Sequence, residues 1–248
     1  MGKKYKGKAC AYCGKTTASS SADHVFARQL FLVRHRANLP IVPACDKCNS
    51  EKSRSEAYVA LAFPNGGRHK FAIENIETFL PRRFAKNVRA EQELRSSRSF
   101  VPAMTDKGLI VPAGAYKIDA ARVKEWVSFV ARGLSFYHWE VAVKKSEYTM
   151  IAGPPNKLGR NLLSKCLDAG ADQLTVTSRT LGEGTMSYWG GRSLDHIVWF
   201  VSPYGGVQTG GSDTDEVSNC FMFMARSNAA IERERRAAQW KGSLILRP

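Results

Sequence analysis

Three stretches near the N-terminus decide the fold: CAYCG at residues 10–14, SADHVF at residues 21–26 and LPIVPACDKCNSEKSRSE at residues 39–56. They contain two Cys-x-x-Cys pairs, an Asp-His dipeptide between the pairs, and an asparagine directly after the last cysteine. The residues concerned are Cys10, Cys13, Asp23, His24, Cys45, Cys48 and Asn49. The order of these features is more informative than any one of them alone.

The cysteine pairs predict a structural zinc site. A Cys-x-x-Cys turn directs two thiolates at one ion, and two such turns complete the tetrahedral four-sulfur shell of Zn²⁺. Two disulfides or a redox pair are the alternatives, but disulfides require an oxidising compartment and the sequence shows no secretory signal. Cys166 and Cys220 lie far from both pairs and are expected to be ordinary buried thiols.

The Asp-His dipeptide and Asn49 predict chemistry beside that zinc. Asp23 and His24 follow a polar run and precede the apolar Val25, which suits the end of a short strand. Adjacent carboxylate and imidazole groups offer a metal ligand and a general base, although such a pair is more often a surface turn. A zinc site would fix the backbone just before Asn49, so that its side chain projects from the start of a helix. The alternative for Asn49 is a simple helix N-cap.

Residues 8–58 resemble the HNH endonucleases, the ββα-metal nucleases, in their four-cysteine zinc form. The shared features are CxxC, DH and CxxCN in the same order. The resemblance implies a β-hairpin and a helix clamped by zinc, with one catalytic divalent ion, Mg²⁺ or another metal. It implies that Asp23 is a metal ligand, His24 the general base, and Asn49 a metal ligand or organiser. Family members often carry a further His or Asn in the helix; this chain has neither there, and Glu56 is the carboxylate placed to substitute.

The charge distribution predicts a nucleic-acid partner. The formal net charge is +15, and residues 1–54 hold 11 Lys and Arg against 3 Asp and Glu, about half of the excess. A clustered surplus of this kind suits a surface that contacts phosphates, and we expect the partner to be double-stranded DNA. The residues predicted to make these contacts are Lys3, Lys4, Lys6, Lys8, Arg28, Lys52 and Arg54.

The whole chain predicts an α+β fold in three segments: the HNH unit at residues 1–63, a helical linker region at 64–108, and an α+β module with an antiparallel sheet at 109–248. Helices are expected over residues 49–63, 82–98, 119–137, 157–167 and 229–241, with a helix break at Pro81. Strands are expected over residues 109–112, 139–143, 148–152, 173–181, 186–189, 196–202 and 217–225. A second Asp-His pair, Asp195-His196, has no cysteines around it and is expected to be structural.

Composition excludes several classes of protein. The apolar content of 44% supports a folded core. No apolar run approaches the roughly 18 residues that a membrane span needs. Reduced cysteines fit a cytoplasmic location. Three roles stay open for residues 109–248: substrate choice, homodimerisation and ligand sensing.

Together these patterns predict a metal-dependent HNH endonuclease that hydrolyses DNA phosphodiester bonds, in restriction, phage defence or a mobile element. The principal alternative is a non-catalytic, zinc-containing nucleic-acid-binding protein. A zinc domain that serves protein interactions is a third possibility, but it leaves the charge clustering unexplained.

Overall fold

The computed structural model describes residues 2–67, 69–104, 108–155, 174–207 and 220–243. Its strands are β1 Ser21–His24, β2 Ile41–Ala44, β3 Arg98–Met104, β4 Ile110–Tyr116, β5 Tyr148–Gly153, β6 Thr175–Leu181, β7 Met186–Arg192, β8 His196–Pro203 and β9 Phe221–Ser227. Its helices are α1 Asp46–Gly66, α2 Lys70–Lys86, α3 Val88–Ser96, α4 Ala120–Trp139 and α5 Asn228–Ser243. All strand pairs are antiparallel, so the predicted α+β class is confirmed.

The N-terminal part is a ββα arrangement. β1 and β2 form an antiparallel hairpin in which Ser21 pairs with Ala44 and His24 pairs with Ile41. Cys45 follows β2 in an extended conformation and is the N-cap of α1, so the helix begins three residues earlier than predicted. Asn49 is therefore not the N-cap. Its amide N–H donates to the Cys45 carbonyl inside the first turn.

Two prolines lie inside helices instead of ending them. Pro64 is in the last turn of α1 and cannot donate a hydrogen bond to the Ala60 carbonyl. The Arg83 guanidinium of α2 donates to that carbonyl at 3.0 Å and satisfies it. Pro81 lies within α2, so the predicted helix break at this residue is wrong, and the predicted helix over residues 82–98 is divided between α2 and α3.

A five-stranded sheet, in the order β5-β9-β8-β7-β6, is the largest sheet among the described residues. α4 packs against it, as the apolar stripe in its sequence predicts, and the Trp199 indole of β8 donates to the Ser135 hydroxyl of α4 at 2.9 Å. The predicted strand over residues 139–143 is wrong because α4 continues to Trp139 and ends at Glu140, which takes a left-handed conformation. The predicted helix over residues 157–167 and the start of the predicted strand over 217–225 lie outside the described residues.

One buried apolar cluster joins the N-terminal hairpin to the sheet. It runs from Cys10 to Ala225 and includes residues from all three predicted segments. At its centre the Phe63 ring of α1 stacks on Phe221 of β9 at 5.0 Å and meets Trp126 of α4 edge-on at 5.2 Å. Among the described residues, no helix is long and apolar enough to cross a membrane.

Candidate functional site

The four cysteines of the two Cys-x-x-Cys pairs lie together. Their sulfur atoms are all within 4.8 Å of one another, and the Sγ atoms of Cys13 and Cys45 are 4.0 Å apart. Sulfurs that share a tetrahedral zinc ion at 2.3 Å are separated by about 3.8 Å, so the spacing is close to that of a filled site. All four are free thiols and not disulfides. The cluster can therefore bind one metal ion such as zinc.

The electrostatics of the cluster favour a thiolate. A hydrogen bond from the Cys48 thiol lowers the pKa of Cys10 to about 4, and the same interaction raises the pKa of Cys48. The buried Arg132 guanidinium of α4 donates to the Tyr12 carbonyl, between the two cysteines of the first pair, at 2.8 Å. Burial lowers the pKa of Arg132, and the charges of Cys48, Cys10 and Cys13 oppose that shift. A cation thus lies beside a group of sulfurs that carries negative charge.

Asp23 and His24 lie at the far end of β1 from the cysteines. The hairpin register places Ser21 beside Ala44 and Cys45, whereas His24 lies three residues further along the strand, about 10 Å away. The Asp23 carboxylate accepts a hydrogen bond from the Tyr12 hydroxyl at 2.5 Å. The Lys52 ammonium lies 3.0 Å from the same oxygen, Oδ2. In the described part of the chain, no hydrogen bond reaches the other oxygen, Oδ1.

His24 is half-buried, and its ring takes part in no hydrogen bond with the described residues. Burial lowers the pKa of His24 below its usual 6.5, and the charge of Arg28 lowers it further. Its carbonyl oxygen accepts a hydrogen bond from the Lys52 ammonium at 2.7 Å. The backbone is therefore fixed while the imidazole stays neutral and available to accept a proton at neutral pH.

Lys52 was predicted to contact phosphates, and the structure contradicts this. Its side chain is 0% exposed, and its ammonium is held by Asp23, by the His24 carbonyl and by the carboxylate of Glu56 one helical turn later. The reason is the direction of α1, which turns this residue toward β1 and away from solvent. Lys52 is an internal cation that connects the helix to the Asp-His strand.

Glu56 is also buried in this network. Burial raises the pKa of Glu56 to about 7, and the Lys52 ammonium only partly offsets that shift. Its carboxylate binds Lys52, and a role as ligand of a catalytic ion stays a prediction. Asn49 lies about two turns earlier in α1, where its side-chain amide donates to the Ser21 hydroxyl of β1 at 3.4 Å. Its role as a ligand likewise stays a prediction.

The other predicted phosphate contacts lie at the surface. The side chains of Lys4, Lys6, Lys8, Arg28 and Arg54 are exposed. Lys4 lies within a 3₁₀ turn at Gly2–Tyr5, and Lys6 and Lys8 follow it; a hydrogen bond from the Ser19 hydroxyl to the Tyr5 carbonyl anchors the turn. The prediction for Lys3 lies outside the described side chains.

Two contributors to the site were not predicted. Tyr12, whose ring is buried, stands inside the first Cys-x-x-Cys pair and holds Asp23. α4 supports that ring: Phe129 meets it edge-on at 5.4 Å, and a Cβ added to Gly133 would lie 3.2 Å from it and 3.0 Å from Val25. The position of Tyr12 between two cysteines was an available signal. The contribution of α4 gave no such signal, because Phe129 and Gly133 lie more than a hundred residues after Tyr12 and Val25.

Comparison of the chain with protein-family models, with curated proteins and with solved structures gives no match. The function must therefore be argued from the geometry of the site.

Proposed function

We propose that the protein is a zinc-stabilised, divalent-metal-dependent endonuclease that hydrolyses phosphodiester bonds of DNA. The observation that carries this proposal is the ββα arrangement, in which an Asp-His pair and a four-cysteine cluster occupy opposite ends of one short hairpin. α1 crosses from one to the other and presents Cys48, Asn49 and Lys52 along the way. A nucleic-acid-binding module would need the cysteines and the charge, but not a positioned carboxylate beside a neutral imidazole.

Zinc has a structural role in this proposal. Cys10, Cys13, Cys45 and Cys48 would hold it, and it would join the turn before β1 to the start of α1. Small units with few apolar contacts commonly depend on such an ion for folding. Zinc held by four sulfurs has no open coordination position, so it takes no part in the chemistry.

A second, divalent ion would be held by Asp23 and Asn49. Carboxylate and amide oxygens are the ligands that Mg²⁺ prefers, and Asp23 Oδ1 is available because Tyr12 and Lys52 engage only Oδ2. Such an ion supplies electrostatic stabilisation of the charge that develops on the phosphate. We expect Glu56 to bind Lys52 and not the divalent ion, because its carboxylate already contacts the buried ammonium.

The reaction follows from the residue types. His24, in its neutral form, takes a proton from a water molecule whose oxygen attacks the phosphorus atom. The bond from phosphorus to the 3′ oxygen breaks, and the leaving oxygen takes a proton from solvent water. Tyr12 and Lys52 fix the carboxylate of Asp23, and Lys52 also fixes the backbone of His24. They are positioning residues, because they act through Asp23 and His24 and do not touch the substrate.

DNA is the proposed substrate because of the exposed positive charge around this site. Lys4, Lys6, Lys8, Arg28 and Arg54 are available for phosphates, and contacts of this kind give affinity with little dependence on sequence. Lys52 is excluded from this group by its burial.

Incubation of supercoiled plasmid with the protein and Mg²⁺ or Mn²⁺, beside a sample with EDTA, tests the proposal. We expect conversion to nicked or linear DNA that requires the added ion. If the protein binds plasmid but no divalent ion supports cleavage, it is a non-catalytic zinc-containing nucleic-acid-binding protein, and the endonuclease proposal is wrong. Metal analysis of the same preparation should find one zinc per chain.

A further inference from the structure

Three arginines meet at the turn that follows the Asp-His strand. Arg28 opens this 3₁₀ turn with an exposed side chain. Arg83 reaches it from α2 and donates a hydrogen bond to the Gln29 carbonyl. Arg36 comes from the other side, and its Nε donates to the Phe31 carbonyl at 3.2 Å. Arg36 and Arg83 are thus fixed around the turn that Arg28 opens.

Their positive charges act on one another and on the Asp-His strand. The guanidinium carbons of Arg36 and Arg83 lie 5.9 Å and 5.3 Å from the centre of the same ring, Phe79. Burial and then the charge of Arg28 lower the pKa of Arg36. Arg28 opens the turn that directly follows β1, four residues after His24. The positive potential of this turn therefore extends to the proposed general base.

No carboxylate neutralises this group within the described residues. The hydrogen bonds of Arg83 go to the carbonyls of Gln29 and Ala60 and to the Asn75 amide oxygen, which carry no charge. Arg34, only two residues before Arg36, differs: Glu74 binds it through two hydrogen bonds at 2.5 and 2.6 Å. Partly buried like charges disfavour one another, and an anionic ligand would relieve that cost.

We propose that Arg28 and Arg36 form a phosphate-binding site that takes the sugar–phosphate backbone of the nucleic acid beside His24. This inference rests on the proposed function and extends it, because it states on which side of the Asp-His pair the substrate lies. A guanidinium donates two parallel hydrogen bonds to phosphate oxygens, which suits this ligand better than an ammonium does. Arg83, three of whose N–H donors are engaged by Gln29, Ala60 and Asn75, holds the turn in place.

Binding of a fluorescent DNA duplex, measured by anisotropy over a salt series without added divalent ion, tests the site. Arg28→Ala and Arg36→Ala should each weaken binding by about tenfold and reduce the salt slope by about one. Arg36→Lys should recover part of the affinity. Arg34→Ala is the matched control: it lowers the net charge by the same amount nearby, and we expect a smaller loss of affinity because Glu74 already engages both terminal nitrogens of that guanidinium. If Arg36→Ala and Arg28→Ala weaken binding no more than Arg34→Ala, the inference is overturned.

Two further measurements keep the result unambiguous. If Arg36→Ala does not fold, Arg28→Ala decides, since the Arg28 side chain makes no hydrogen bond to the described residues. Inorganic phosphate tests the other source of the same chemistry: if it raises the melting temperature of wild type but not of Arg28→Ala, while DNA affinity is equal, the site takes free phosphate and the inference is wrong. Failure of wild type to cleave DNA would sink the endonuclease proposal and leave the binding result standing.

Discussion

The two Asp-His pairs of this chain carry the same side chains in different surroundings. Asp23 is 12% exposed, and its partners are a buried tyrosine and a fully buried lysine. Asp195 is 28% exposed, and it is held by the solvent-exposed Arg233 at 2.5 Å and by the Ser227 hydroxyl at 3.0 Å. The first pair ends β1, whereas the second lies at the start of β8, so each pair stands at one terminus of a strand.

The partners of each carboxylate show what the pair does. Asp195 connects the start of β8 to the end of β9 and to α5, and the His196 amide and carbonyl complete a turn with Ser193. These contacts join neighbouring elements of the fold to one another. The partners of Asp23 instead hold one oxygen of the carboxylate, and within the described residues the other oxygen and the His24 imidazole take part in no hydrogen bond. The role of an Asp-His pair therefore depends on the groups that bind its carboxylate.

The largest expected effect is on folding, and it comes from the four-cysteine cluster that frames the first Asp-His pair. Cys45→Ser should abolish zinc binding and unfold the hairpin, because the binding energy of a structural zinc is folding energy, on the order of 10 kcal/mol. Cys220→Ser, outside the cluster, should keep the metal. Zinc content and circular dichroism measure both. A Cys45→Ser protein with full zinc would show that the four sulfurs are not the ligands.

The second largest expected effect is the loss of stability when Lys52, the internal cation, is replaced. Lys52→Met leaves Asp23 and Glu56 buried without their counterion, and loss of one member of a buried ion pair costs about 3–5 kcal/mol. The free energy of unfolding, measured in urea, should fall by this amount. Arg233→Met is the corresponding change at the second pair, and it should cost at most about 1 kcal/mol because that ion pair is exposed. Equal losses would show that the two networks do not differ.

Loss of the base should affect cleavage and not folding. His24→Ala should lower the cleavage rate about 10²-fold or more, the usual scale for a general base, while zinc content and DNA affinity stay near those of wild type. His196→Ala should cleave at the wild-type rate. Initial rates of plasmid cleavage measure both, and a His24→Ala protein that cuts as fast as wild type would show that another group accepts the proton.

The smallest expected effect is a pH-dependent one at the second pair. The hydrogen bond from Arg233 holds the pKa of Asp195 below its usual 3.8. Asp195 therefore adds stability above that value, and this stability is lost as the pH falls through the lower pKa of the folded state. Asp195→Asn should be less stable than wild type at neutral pH by at most about 1 kcal/mol, and the difference should vanish well below pH 3.8. Urea unfolding at the two pH values tests the sign, and a difference that grows in acid would contradict it.

The sequence predicts the parts of the site that depend on local spacing. The spacing of the two Cys-x-x-Cys pairs predicts the cysteine cluster, and the resemblance of residues 8–58 to the HNH endonucleases implies the hairpin and the helix beside it. The burial of Lys52 was not predictable in the same way. A lysine two residues before the exposed Arg54 is typical of a solvated helix face. Only its i,i+4 spacing to Glu56 indicates an ion pair. Its other carboxylate comes from β1 and is brought close only by packing.

The same limit applies to the rest of the fold. Strand segments of the large sheet were predictable from β-branched and aromatic runs between turns, but their order in the sheet is not a local property. A proline ends a helix only when neighbouring elements do not support the helix across it, and α2 continues through Pro81. The end of α4 was missed because the apolar residues that follow Trp139 pack in a loop, where Val143 is fully buried.

Gly133 has a consequence for how the chain can be divided. With no side chain at this point, α4 exposes bare backbone, and the ring of Tyr12 and the methyl groups of Val25 rest against it. A fragment that ended before α4 would leave this ring facing water, although its hydroxyl must aim at Asp23. The ββα unit can therefore be excised only together with the helix that carries Gly133, so a minimal fragment would have to extend to at least residue 139.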